Sequence, residues 1–383
     1  MPIYLTLALF FFNFVSINAA RVVLTLYALA LGAPSSSVGV LGGMFYLFPL
    51  LLSWPIGAAA DRHGTRGLLL AGGIIGAGAL LLPYFFPIVP VLYLAAALSG
   101  LSLAFSHVTL QNLIGTLSPP DERARNFSNF SLVGAVTFSV GPLIAGLSID
   151  HFGHALACLA VVAVASVPLG LLLVGGHLLP GRPRTPPPPA LASAGLMDRN
   201  AMMMLGASTL VQLGVDVFQF YMPIYGYAIG LSATAIGAVL ASFAAASFIV
   251  RIFLARLVQA VAAEKLLACS FVAGALGFGL TPLFEHVAAL AAVAFVFGLG
   301  MGLGTPLTLF LMFTHSAEGR SGQTLGIRLT ASNLVRVLGP VAFGALGSAF
   351  GVWPVYLGNA ALMGSGVLLA ISPRANREGA DSR

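Results

Sequence analysis

The chain has 383 residues, of which 58% are hydrophobic and only 7% charged, with 17 Lys+Arg against 11 Asp+Glu. A water-soluble surface needs roughly 25% charged residues, so a soluble globular domain is excluded, and a mean hydropathy of +0.99 points to lipid as the solvent. The net charge of +6 does not mark a nucleic-acid binder, because the basic residues are scattered singly, without a basic cluster interleaved with aromatics.

In chain order, the hydropathy pattern predicts twelve apolar spans near 3–31, 38–60, 67–86, 88–117, 126–149, 155–179, 202–229, 234–258, 265–284, 287–313, 325–349 and 353–371. The connections alternate in charge. "GAPSSS", "FPIVP", "DHFGH", "GLSA", "FEHV" and "GVWP" carry no Lys or Arg, whereas the others hold Arg62 and Arg66, Arg123 and Arg125, Arg182, Arg184 and Arg199, Arg256 and Lys265, and Arg320. By the positive-inside rule the second set is cytoplasmic, which places both termini there, in a multi-pass protein expected in the bacterial inner membrane. A signal peptide normally opens with basic residues, and none precedes Arg21, so cleavage after "NAA" (18–20) is not expected. Cys158 and Cys269 lie inside apolar runs and read as packing residues.

The stretch "LPGRPRTPPPPALASAGLMDRN" around 179 to 200 holds six prolines, so its middle cannot be helical and should run extended. It divides the spans six and six, giving bundles 1–179 and 201–372, a linker over 180–200 and a tail over 373–383. The halves also repeat at an offset of 198 residues. Gly141-Pro142-x3-Gly146 falls on Gly339-Pro340-x3-Gly344, Gly153 on Gly351, Gly32 on Gly230, Tyr27 on Tyr225 and Phe45 on Phe243. The expected fold is an all-α membrane protein of twelve transmembrane helices in two pseudo-symmetric six-helix bundles, related as parallel repeats.

Charge inside a span is costly, at least about 2.5 to 3.5 kcal/mol on insertion scales, so intramembrane polar residues should face a partner or a cavity. Asp216 is the acidic residue lying well inside a span, in "LVQLGVDVFQFYMP", and Gln212, Asp216 and Gln219 share one helical face. The repeat places Asn18 on Asp216 and Arg21 on Gln219, so the first and seventh spans carry matching polar stripes. The fourth span adds His107 and Gln111, the tenth Thr305 and Thr308, and the eleventh Asn333 and Arg336, while Arg251 and Arg328 lie nearer the cytoplasmic ends. Arg21 and Arg336 set against Asp216 leave this polar set net positive, which suits anionic or zwitterionic cargo. Two roles are open for Asp216. It can carry a coupling proton, since a carboxyl taken out of water holds a proton more readily, or it can pair with Arg21 as a structural tie. The tyrosines at 221, 225 and 227 read as interfacial anchors, and Gly72, Gly73, Gly76 and Gly78 as close-contact positions.

The loop "GAAADRHGTRG" (57–67) completes the pattern: Gly57, Asp61, Arg62, Gly64 and Arg66 fit G-x-x-x-D-R-x-G-R/K-R/K except at Thr65. With two six-span halves and a central linker, the chain resembles the major facilitator superfamily of transporters. That resemblance implies that the first, fourth, seventh and tenth spans line a substrate path. It also implies that Asp61 contacts the start of the eleventh span, near Arg328, and closes the cytoplasmic side. The second half has Gln259 where Asp61 stands, so this gate is expected once only. Gly141-Pro142 resembles the family's antiporter signature, with Gly146 one residue late, and the copy at Gly339-Pro340 suggests a helix-bending role in both halves.

No H-E-x-x-H, G-x-S-x-G or G-x-x-x-x-G-K-[ST] is present, so no enzyme, metal site or cofactor is expected. The expected partners are a small-molecule substrate, protons and the lipid bilayer, with the chain acting as a monomer. The first functional expectation is proton-coupled export of a small organic molecule. The alternatives are uptake of a small organic anion and, less favoured, a non-transporting receptor or scaffold.

Overall fold

The computed structural model describes residues 2–119, 122–179, 199–315 and 321–371. Among them there is no strand. In lipid every backbone N–H and C=O must be satisfied within the chain, and long apolar runs do so as helices. The order is α1 (Pro2–Ala30), α2 (Ser35–His63), α3 (Thr65–Phe85), α4 (Val89–Leu117), α5 (Arg123–Gly175), α6 (Arg199–Ala228), α7 (Ala233–Ile252), α8 (Leu254–Ala260), α9 (Ala263–Leu280), α10 (Val287–His315), α11 (Ser321–Phe350) and α12 (Val352–Ile371). The central linker lies outside the described residues except for its last two positions, and the tail 373–383 lies wholly outside them.

Eleven helical runs among the described residues are long and apolar enough to cross a bilayer. The difference from twelve lies in α5, whose 53 residues would reach about 80 Å as one straight helix against a hydrocarbon core of about 30 Å. It does not run straight: Gly153 has φ 79° and ψ 169° inside it. A left-handed backbone suits only glycine without strain, and among the described residues no other residue type has positive φ. The repeat is visible here. Gly153 (79°) matches Gly351 (82°), and Gly32 (81°) matches Gly230 (78°), each pair 198 residues apart. The span expected over 234–258 is shorter than the pattern suggested, because the chain kinks at Phe253 between α7 and α8.

Contacts divide the chain into two compact units, residues 1–189 with 222–241, and residues 190–221 with 242–383. Thus α6 and α7 each pass from one unit to the other. The interior of the first unit gathers Leu9, Phe10, Leu110, Leu113, Phe130 and Leu172, with the Phe10 and Phe130 rings stacked at 3.8 Å. The second unit centres on Phe218, Phe243 and Phe297, whose ring centroids lie 4.7 to 5.5 Å apart. In the first unit α2 and α4, and in the second α7 and α10, come into backbone contact at a glycine. A Cβ at Gly100 would sit 2.5 Å from the Phe45 carbonyl oxygen, and one at Gly298 still closer to that of Phe243. Both members of each contact are related by the same 198-residue offset.

The outward faces are apolar, with Ile74, Leu173, Val174 and Leu368 all more than 60% exposed, as lipid allows and water does not. Two packing expectations need correction. Cys158 is buried but Cys269 is exposed. Tyr221 and Tyr225 are buried, at 0% and 6% exposure, and only Tyr227 has the exposure of an interfacial anchor. Tyr221 instead fills the space left by Gly347, and a Cβ there would overlap its hydroxyl.

Candidate functional site

Asp216 sits in α6 with its side chain 6% exposed. Gln212, one turn earlier, donates Nε2 to Oδ2 at 2.7 Å, and Arg336 of α11 donates Nε to the same oxygen at 3.2 Å. The spacing of four puts Gln212 on the carboxylate's own face. The ion pair closes within the second unit, so the structure assigns Asp216 to Arg336 rather than to the Arg21 considered from sequence. A buried carboxylate needs such partners, since the cost of desolvating its charge is recovered only through good geometry and hydrogen bonds.

The first unit holds the repeat image of this arrangement in neutral form. Asn18, 5% exposed, donates Nδ2 to Thr137 Oγ1 at 3.2 Å. Asn18 maps onto Asp216, and Thr137 maps onto Val335, next to Arg336. The same helices therefore meet in both repeats, at Gly141 and at Gly339. A Cβ at Gly141 would lie 2.7 Å from Asn18 Cβ and 2.9 Å from the Val15 carbonyl oxygen. One at Gly339 would lie 3.0 Å from Leu213, the repeat image of Val15. The Gly-Pro positions Gly141-Pro142 and Gly339-Pro340 thus mark where one helix backs onto the polar stripe of another.

The remaining sequence-selected residues are more dispersed. Arg21 is half-buried, its guanidinium 5.3 Å from the Tyr46 ring centroid. His107 is half-buried with its ring 5.4 Å from that of Phe14, while Gln111 is exposed. Gln219, Thr305 and Asn333 are half-buried. Thr308 is fully buried and donates to the carbonyls of Gly304 and Thr305 in its own helix, at 2.8 and 3.0 Å. Arg251 does not reach out to the membrane surface; its Nε donates to Gly302 O of α10 at 3.0 Å.

In the 57–67 loop, the side chains of Asp61 and Arg62 lie outside the described residues, and so does the contact expected of Asp61. Gly64 takes φ 85° and separates α2 from α3. Arg66 is exposed, and its guanidinium lies against Gly176, 2.9 Å from where a Cβ would stand. Gly176 closes α5, and a cation there meets the partial negative charge of a helix C-terminus.

Sequence reasoning passed over a polar lining inside the first unit. Asn13, Ser16, Ser99 and Ser102 face a small cavity bordered by α1, α3, α4 and the second part of α5. Ser106 donates to Asn13 Oδ1 at 3.2 Å, and Ser99 Oγ is buried with no hydrogen-bond partner among the described residues. The signal was present in the spacing of three between Asn13 and Ser16 and between Ser99 and Ser102. Asp150, assigned to a connecting loop, was also passed over.

The sequence model described as Major Facilitator Superfamily matches the chain twice, over residues 6–203 and 204–382. An MFS-type transporter of Methanocaldococcus jannaschii is 23% identical over 131 residues, 34% of each chain. Quinolone resistance protein NorA of Staphylococcus aureus is 27% identical over 162 residues, 40% of this chain and 41% of NorA. The matched stretch thus spans about a third to two fifths of these relatives. Among solved structures, nucleoside transporter NupG superposes with a TM-score of 0.77 at 14% identity, over 98% of this chain and 99% of NupG. A peptide transporter POT superposes with a TM-score of 0.81 at 14% identity, over 98% and 95%. At such identities the superpositions concern the fold.

Proposed function

The chain belongs to the Major Facilitator Superfamily, and on that premise we propose that it is a secondary active transporter exporting a small organic molecule in exchange for protons. The observation that carries the coupling is the buried Asp216 carboxylate, held through Oδ2 by Arg336 and Gln212. A proton on this carboxyl cancels the charge that holds the guanidinium, and its departure restores the pair. Proton occupancy is thereby tied to the contact between α6 and α11. Charge inside a membrane segment is expensive, so a paired Asp and Arg at this depth support the reading of a working site. Export is supported by the likeness to a quinolone resistance protein and by Gly141-Pro142.

In this reading residues 129–178 cross the membrane twice, giving twelve spans in two bundles, 1–179 and 201–372, joined by the linker 180–200. Both termini are cytoplasmic, because the basic connections lie on that side. The chain works as a monomer in the cytoplasmic membrane by alternating access, exposing its binding residues to one side and then the other. It performs no catalysis.

Uptake of a small organic anion is the second reading. It is favoured by one observation, the half-buried guanidinia of Arg251 and Arg336 in the same unit as the single buried acid Asp216 among the described residues. The discriminating experiment preloads proteoliposomes with a fluorescent quinolone, or adds benzoate outside them, imposes an inward proton gradient, and follows internal pH against protein-free vesicles. Exchange driven by the quinolone supports export; proton entry together with benzoate supports uptake; no response to either contradicts both.

A further inference from the structure

We propose that Asp150 is a latch whose carboxylate grips the N-terminus of α7, holding the ends of α5 and α7 together in one state of the transport cycle and releasing them in the other. The inference rests on the alternating-access reading.

Asp150 stands three residues before the break at Gly153, at the end of the first part of α5. Its Oδ1 accepts the Ala233 N–H at 3.0 Å and its Oδ2 the Thr234 N–H at 2.7 Å. These are the first two residues of α7, and their N–H groups have no partner inside their own helix. A carboxylate there satisfies both donors and meets the partial positive charge of the helix end. Starting α7 does not require it. Ser232, directly before the helix, already accepts the Ala235 N–H through Oγ at 3.2 Å, the ordinary local cap. The second cap comes from more than eighty residues away and ties one helix to another.

The surfaces below this tie are smooth. A Cβ at Gly237 would lie 2.5 Å from the Pro142 carbonyl oxygen, and one at Gly146 would overlap the Ala233 carbonyl. Ser139 Oγ donates to Ala241 O at 3.4 Å at the far end of the contact. Backbones in such close contact meet without interdigitated bulky side chains, so they can part without repacking a core. Asp150 is itself exposed, which separates its role from the folding of the bundle.

The repeat shows that the device is not demanded by the fold. The 198-residue offset carries Asp150 to Ser348, which has no carboxylate, and Ala233 to Ser35. There α2 begins after Pro34 without a side-chain cap bond. Asp61 likewise has Gln259 as its image. In the proposed topology Asp61 stands at the inner face and Asp150 at the outer, and neither has a carboxylate as its repeat image.

The test uses the full-length protein in lipid nanodiscs, in a Cys158→Ala/Cys269→Ser background. Spin labels at Phe152→Cys and Tyr227→Cys report the outer ends, and labels at Gly67→Cys and Lys265→Cys the inner face. Asp150→Asn removes the charge. Ala233→Pro keeps the carboxylate but deletes one donor at a helix position that favours proline. Each should raise the ratio of long to short outer distances, by about tenfold for Asp150→Asn, as expected for a charged cap at a helix end. The inner pair should shift the opposite way. An outer ratio unchanged within twofold in both variants, while the wild-type inner pair still exchanges, overturns the latch alone. A wild-type inner pair that never exchanges overturns the alternating-access reading and the latch with it.

Discussion

Asp216 of α6 and Arg336 of α11 meet through Oδ2 and Nε at 3.2 Å, at the place where the first repeat joins Asn18 to Thr137 through neutral groups. One architecture thus serves two chemistries. The first repeat has a hydrogen bond indifferent to protons, and the second an ion pair whose strength depends on them. From this asymmetry come expectations for both halves.

Removing one partner of a buried pair leaves the other charge unpaired, which destabilises more than replacing both. Arg336 is 28% exposed, so solvent softens the penalty to about 1 to 3 kcal/mol. Thermal unfolding should show Arg336→Gln clearly below wild type and Asp216→Asn/Arg336→Gln recovering most of the loss. Additive losses in the double variant would show that the pair is not coupled.

Thr137→Val removes the acceptor of Asn18 and should cost about 1 kcal/mol, as for one buried neutral hydrogen bond. It should leave the pH dependence of transport unchanged. A shifted pH profile in Thr137→Val would mean that the first repeat also handles the proton.

The paired glycine contacts predict a paired response. Gly100→Ala and Gly298→Ala drive a methyl group into a carbonyl and should each cost about 1 to 3 kcal/mol. Gly78→Ala and Gly279→Ala meet nothing within 4 Å and should be neutral or stabilising by about 0.5 to 1 kcal/mol, the usual helix preference of alanine over glycine. Melting temperature and monodispersity of the four purified variants check this.

Gly153→Ala and Gly351→Ala place a side chain at φ near 80°, which costs about 1 to 2 kcal/mol wherever the space is open. Because the two sites are repeat images with nearly the same positive φ, their melting shifts should agree. A harmless Gly153→Ala would mean that α5 does not need its break.

The spans were legible because a lipid solvent enforces one rule, long apolar helices, and apart from the continuous α5 and the shorter α7 the observed helix ends fall within a few residues of the hydropathy pattern. The 198-residue repeat was legible because glycines at left-handed turns and backbone contacts cannot be replaced cheaply. Asp216 stood out as a lone acid in a span, but its partner did not. Arg21 and Arg336 are equivalent candidates until the packing of α11 on α6 is known, and that register depends on side chains far apart in sequence. The burial of Tyr221 was hidden for the same reason, since the space it fills is created by Gly347 of α11. Asp150 read as loop polarity, because a cap donated to a helix more than eighty residues away leaves no local pattern.

The central claim is that Asp216 carries the coupling proton, and its most direct test is quinolone flux into or out of proteoliposomes under an imposed pH gradient, wild type against Asp216→Asn. Gradient-driven flux should vanish in the variant while quinolone binding is retained, with a loss of thermal stability no larger than the about 1 to 3 kcal/mol expected for breaking the pair with Arg336. Undiminished gradient-driven flux in Asp216→Asn would contradict the account.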